Sequence, residues 1–162
     1  MRIGVAIDDL ASAEGRLAEA LLELGERHKA DHDVFHLSRT LARWAHAHIA
    51  ALEPFAARYA TDVEAGDLGR EHGGPLHMLR EKGAELLGRR PEAGLLLLRD
   101  MRALHLLAAE ASANWTILGQ AAQAANETEL LECVSRCHPE TLRTMRWALN
   151  KLKESAPQIL TT

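Results

Sequence analysis

Three histidines spaced four apart, His28, His32 and His36, lie around the carboxylate of Asp33. Imidazole nitrogens and a carboxylate converging at about 2.0–2.1 Å would hold a divalent transition metal, for storage, sensing or redox work. On one continuous helix the three rings would form a vertical stripe. If the chain turns near Asp31 they would gather at one end of the fold. The competing possibility is a set of exposed or capping side chains around a turn, because a structural metal site needs its complete ligand set on one spot.

Other residues invite weaker chemistry. His46 and His48 fall on different helical faces, and His48 adjoins an apolar stripe from Trp44 to Leu52, where a half-buried histidine satisfied by a neighbouring helix is expected. His105, Asn114 and Trp115 border a later apolar seam and could line a pocket between helices for a small molecule. Ser112, Thr116, Gln120 and Gln123 beside that seam suit a polar network between helices. His77 and Glu81 make a lone His-x-x-x-Glu pair. Cys133-Val-Ser-Arg-Cys137-His138 has one residue too many for the Cys-x-x-Cys-His of covalent haem. Four apart on a helix, the two cysteines suit packing as small apolar residues and not a disulfide. No Gly-x-Gly-x-x-Gly, Gly-x-x-x-x-Gly-Lys, Gly-x-Ser-x-Gly or His-Glu-x-x-His occurs, which removes the commonest nucleotide, hydrolase and metalloprotease signatures.

Helices must position all of these groups. Of the 162 residues 47% are hydrophobic, mostly Ala and Leu, and only 4% are aromatic, a composition that favours helix over strand. The length fits one domain spanning 1–162 with a continuous core. With 19 basic against 23 acidic side chains, a net charge of −4 and no basic run, nucleic acid is not an expected partner. No run reaches the roughly 20 apolar residues of a membrane span. The early acids Asp8 and Asp9 do not suit a signal peptide, and two cysteines with no export signal suggest a reducing cytoplasm.

Asp8 or Asp9 is the expected cap of a first helix reaching about Lys29, with Leu17, Leu21 and Leu24 facing the core. Asp33 is the expected cap of a second helix, its stripe being Phe35, Leu41, Trp44, Ile49, Leu52 and Phe55. One unbroken helix over 9–59 would be roughly 75 Å long, too long for a compact domain, so a turn is expected near Asp31. Gly66, Gly69, Gly73 and Gly74 mark a loop over 60–75. A short extra helix over 76–87, closed by Gly88, and a helix start at Pro91 are expected next.

Leu97, Met101, Leu104, Ala108, Ala111, Trp115, Leu118, Ala122 and Ala125 then alternate steps of four and three. Such a seam needs a helix of about 30 residues, roughly 45 Å long, with Asn126 as its stop. A last helix over about 127–154 would show Leu131, Val134, Leu142, Met145, Leu149 and Leu152 to the core, kinked or restarted at Pro139 and ended by Pro157. The expected fold is all-α, an antiparallel up-and-down four-helix bundle with a short extra helix in the central connection.

In the runs Glu26-Arg27-His28, Asp31 to His36, Ala42 to His48, Ala109 to Trp115, Gly119 to Gln123 and Leu152 to Leu160, the chain resembles uncharacterised bacterial ferritin-like four-helix-bundle proteins. The resemblance implies a ferritin-like fold over most of the chain. The di-iron members use Glu-x-x-His on two helices and a glutamate on each of the others. Glu-x-x-His does not occur here, and its nearest approximation is Asp33-Val-Phe-His36, so no catalytic residue carries over. The hemerythrin pattern fails as well. A non-enzymatic bundle acting through protein contact or as a scaffold, and pairing as a homodimer, is therefore the leading expectation. Metal binding by His28, His32, Asp33 and His36 is the first alternative, and a sensor or enzyme with a pocket at His105, Asn114 and Trp115 the second.

Overall fold

A computed structural model describes the protein over residues 2–59 and 92–161. Four helices account for nearly all of it: α1 (Ile3–Arg27), α2 (His32–Tyr59), α3 (Ala93–Ala124) and α4 (Thr128–Leu160). No strand occurs among the described residues. The expected loop over 60–75, the helix over 76–87, Gly88 and Pro91 lie outside them, as do His77 and Glu81.

α1 begins nearly two turns before the expected cap. Ile3 and Ile7 are both buried, and their burial extends the helix although Arg2 at its start makes no side-chain cap. α1 and α2 are separate helices, as the length argument requires, but Asp31 and not Asp33 caps the second. Asp31 Oδ1 accepts from the Val34 N–H at 3.2 Å, and Lys151 of α4 lies 3.1 Å from its other oxygen. Partial burial works against the Asp31 carboxylate, yet these two donors hold it below its ordinary pKa. At the far end of α1, a Cβ on Gly4 would fall 2.5 Å from the Tyr59 carbonyl oxygen. Only glycine permits that approach of the two helices.

α3 ends where Asn126 was expected to stop it. Asn126 takes φ 57°, the left-handed conformation asparagine tolerates. Glu127 N–H then returns to Ala122 O at 2.9 Å and Asn126 N–H to Gln123 O at 3.2 Å, which closes the last turn. α4 runs through both Pro139 and Pro157 to Leu160. Neither proline restarts or ends the helix; buried Cys137 and Thr141 flank Pro139, and the chain stays helical for three residues past Pro157.

Each helix turns a seam of alternating four- and three-residue steps inward. On α1 it is Ile3, Ile7, Leu10, Glu14, Leu17, Leu21, Leu24. On α2 it is Val34, Ser38, Leu41, Ala45, His48, Leu52, Phe55, Tyr59. On α3 the expected positions from Met101 to Ala122 are all buried, and Leu97 and Ala125 pack partly buried against the core. On α4 the seam is Leu130, Val134, Cys137, Thr141, Thr144, Ala148, with Ser155 beyond. Two expected stripes are therefore rotated. Phe35, Trp44 and Ile49 on α2, and Leu131, Leu142 and Met145 on α4, only flank the core, and Leu149 is exposed. Small and polar residues hold the inner positions because one level of the core is polar.

α1 lies against α2 and α3, and α4 against α3 and, more thinly, α2. Arg27 of α1 meets Asp100 of α3, and Arg16 meets Glu110, so α1 and α3 are antiparallel. Asp31 meets Lys151, and Arg58 meets Glu129, so α2 and α4 are antiparallel too. The diagonal helices α2 and α3 consequently run parallel. Tyr59 sits beside Gly4 at one end, whereas Gly94 sits beside Ile159 at the other. The architecture is two antiparallel helix hairpins packed together, not the simple up-and-down order expected. Among the described residues no helix is long and apolar enough to cross a membrane.

Candidate functional site: a buried polar layer

Halfway along the bundle the four seams meet at Glu14, His48, Trp115 and Thr141. Glu14 and Trp115 are fully buried, and His48 is 2% exposed. Glu14 Oε1 accepts from Trp115 Nε1–H at 2.6 Å and from the Thr141 hydroxyl at 2.7 Å. His48 Nδ1 stands 3.2 Å from the same oxygen without a hydrogen bond to it. On its other side His48 Nε2 donates to Glu140 Oε2 at 2.8 Å. The imidazole also meets the Trp115 ring edge to face at 5.7 Å.

Burial disfavours a charge on His48, but Glu14 first and Glu140 second raise its pKa above the ordinary value. The layer thus sets the imidazole between two carboxyl groups, which favour its protonated form. Glu14 Oε2 has no hydrogen-bond partner, although its residue is wholly removed from solvent. Glu140 keeps a third of its side chain exposed, so His48 connects a carboxyl at the surface to one in the core. Such a row fixes which residues of the four helices face one another. It also divides the core. Leu10, Leu52, Leu118 and Leu130 belong to one apolar half, and Leu17, Leu41, Leu104 and Ala148 to the other.

Further polar groups surround the layer. Ser112 Oγ and His138 Nε2 share a hydrogen bond of 2.9 Å, and burial lowers the His138 pKa. Cys133 and Cys137 are buried free thiols, packed as expected. The Cys133 thiol beside it and burial push the Cys137 thiol up.

The expected metal group is divided. His28 turns to α3, where its Nε2 lies 2.8 Å from Asp100 Oδ2, beside Arg27 at 2.9 Å. Burial opposes the Asp100 carboxylate, but His28 and Arg27 hold its pKa below the ordinary range. His32 and His36 stay together, ring centroids 6.1 Å apart. With Asp33 they line an open cleft of about 430 Å³ between α2 and α4, which Trp147, Lys151 and Glu154 complete. Among the described residues no three His, Cys, Asp or Glu side chains are arranged to hold a metal ion.

His105, Asn114 and Trp115 are also not brought together. His105 Nδ1 reaches the Met145 carbonyl on α4 at 3.2 Å, Asn114 reaches the Asp9 carbonyl on α1 at 3.5 Å, and Trp115 points into the core. His48, expected to be half-buried and satisfied, is fully buried, with Nε2 bonded to Glu140 and Nδ1 left without a hydrogen-bond partner. Glu14, Glu140 and Thr141 were not anticipated. The available signal was periodic: Glu14 is the one charged member of an otherwise apolar seam from Ile3 to Leu24. No protein-family model, curated protein or solved structure matches the chain.

Proposed function

We propose that the protein is a ferritin-like helical bundle that acts through contact with other proteins, as a homodimer, and not by catalysis. The observation that carries this is the outward face of α3, where three large apolar side chains stand among charged and polar ones. Opposite its buried seam it exposes Leu95, Leu106 and Ile117, and large apolar side chains aligned on one exposed face favour a packed partner. The exposed Leu22, Leu37, Leu149 and Leu160 are spread over the other helices, a scatter that needs no partner. The hairpin order, with α2 and α3 parallel on the diagonal, supports the ferritin-like resemblance, since bundles of that kind carry one long crossover. Light scattering of the purified chain across concentrations tests the proposal. A dimer is expected at micromolar protein, and a strict monomer at the highest soluble concentration would sink it.

A second reading has its own support. His32 and His36, one turn apart in an open cleft with Asp33 and Glu154, offer two imidazoles to a zinc, nickel or iron ion whose other positions are filled by carboxylate or water. Elemental analysis of untagged protein, and melting curves with each metal, decide it. No bound metal and no rise in melting temperature would remove it.

A further inference from the structure

Leu95, Leu106 and Ile117 are exposed by 44%, 60% and 51%, and each is eleven residues from the next. Eleven residues are close to three helical turns, roughly 16 Å of rise, so the three side chains line up on one side of α3. Between them that side carries Arg99, Arg102, Ala103, Ala109, Glu110 and Ala113. The order is symmetric about Leu106. Arg102 is four residues before it and Glu110 four after; Leu95 is eleven before and Ile117 eleven after.

Resting on the dimer reading above, we propose that α3 packs antiparallel against α3 of a second copy, with Leu106 on the two-fold axis. In that register Leu95 meets Ile117 of the second copy, Leu106 meets its own equivalent, and Arg102 meets Glu110 of the second copy. A two-fold interface must be self-complementary, and here Leu95 finds Ile117 and Arg102 finds Glu110, while Arg99, seven residues before Leu106, falls opposite Ala113. Parallel pairing would instead set Arg102 on Arg102 and Glu110 on Glu110, which opposes association. Ala109 and Ala113 leave room for the close approach of two helices. Glu110 is also paired with Arg16 of its own chain at 2.6 Å, so it would be shared between the two guanidinium groups.

Charge reversal on the full chain tests the register, with light scattering for mass and circular dichroism to verify the fold. Arg102→Glu and Glu110→Arg alone should each weaken the dimer about tenfold or more, because every substitution counts twice across the axis. The combined R102E/E110R protein should recover parent affinity. Leu106→Cys should give a disulfide-linked dimer under mild oxidation, whereas the parent, whose cysteines are buried, should not. A dimer indifferent to both reversals, with no cross-link at position 106, overturns this interface and leaves the homodimer standing. A parent chain that never dimerises overturns both.

Discussion

Two places in this molecule set histidine beside carboxylate, and they differ chiefly in water. At the middle of the bundle, His48 lies between Glu14 and Glu140 with almost no exposure. At the end of the α2–α4 seam, His32 and His36 stand exposed beside Asp33 and Glu154. In the first place Glu14 and His48 have lost their hydration, and the structure is held to the few partners that replace it. In the second, water still serves, so little stability depends on the side chains and they remain open to a ligand. Burial, not residue type, separates a group that organises the fold from one available for binding.

The sharpest break of that contrast is Glu14→Ala. It leaves Trp115 Nε1–H and His48 without their acceptor in the core, and urea denaturation should show a loss of about 3–5 kcal/mol. A loss under 1 kcal/mol would mean that the layer is not an ion pair in the folded protein. The Glu14→Gln and His48→Gln pair, run as a double-mutant cycle, should give a coupling of about 1–3 kcal/mol. Additive effects would separate the two side chains energetically.

The pH dependence carries a definite sign. The folded His48 pKa is raised above its ordinary 6.5, so its contribution is complete below that value and is lost as pH rises through the folded one. His138, lowered by burial, contributes the opposite slope, its stabilisation being lost as the solution turns acidic. Subtracting the His48→Gln curve from the parent curve isolates the first. The difference should shrink between neutral and alkaline pH, and one that grows there would refute the assignment.

Smaller effects follow at the turn and the cleft. Asp31→Ala should cost about 1 kcal/mol by removing the cap of α2. His32→Ala and His36→Ala should each change stability by less than about 0.5 kcal/mol in the absence of metal. A large effect from either would place that ring in the fold and not in the cleft.

Much of the bundle is legible in the chain because α3 repeats its apolar positions strictly and Asn126 ends it in a conformation that few residues accept. α4 is harder. Its inner positions are Cys137, Thr141 and Thr144, while Leu142, Met145 and Leu149 lie to one side, so counting only large apolar residues rotates the helix away from its true face. The central layer escaped for a related reason. Glu14 occupies a core position by spacing and a surface position by chemistry, and spacing prevails only when another helix supplies Trp115, Thr141 and His48. The metal group shows the reverse. Spacing by four puts His28, His32 and His36 on one stripe, but the turn at Asp31 sends His28 across to Asp100.

The chain alone determined that there would be helices, where three of their ends fall, and which side of α3 is covered, since periodicity, capping and left-handed preference act within a few residues of one another. The tertiary structure decided that α2 and α3 lie parallel on a diagonal, that a carboxylate enters the core, and that the histidines part company. Those outcomes depend on partners some forty to one hundred and thirty positions away, and desolvation can be offset only by groups that the packing of helices brings into reach.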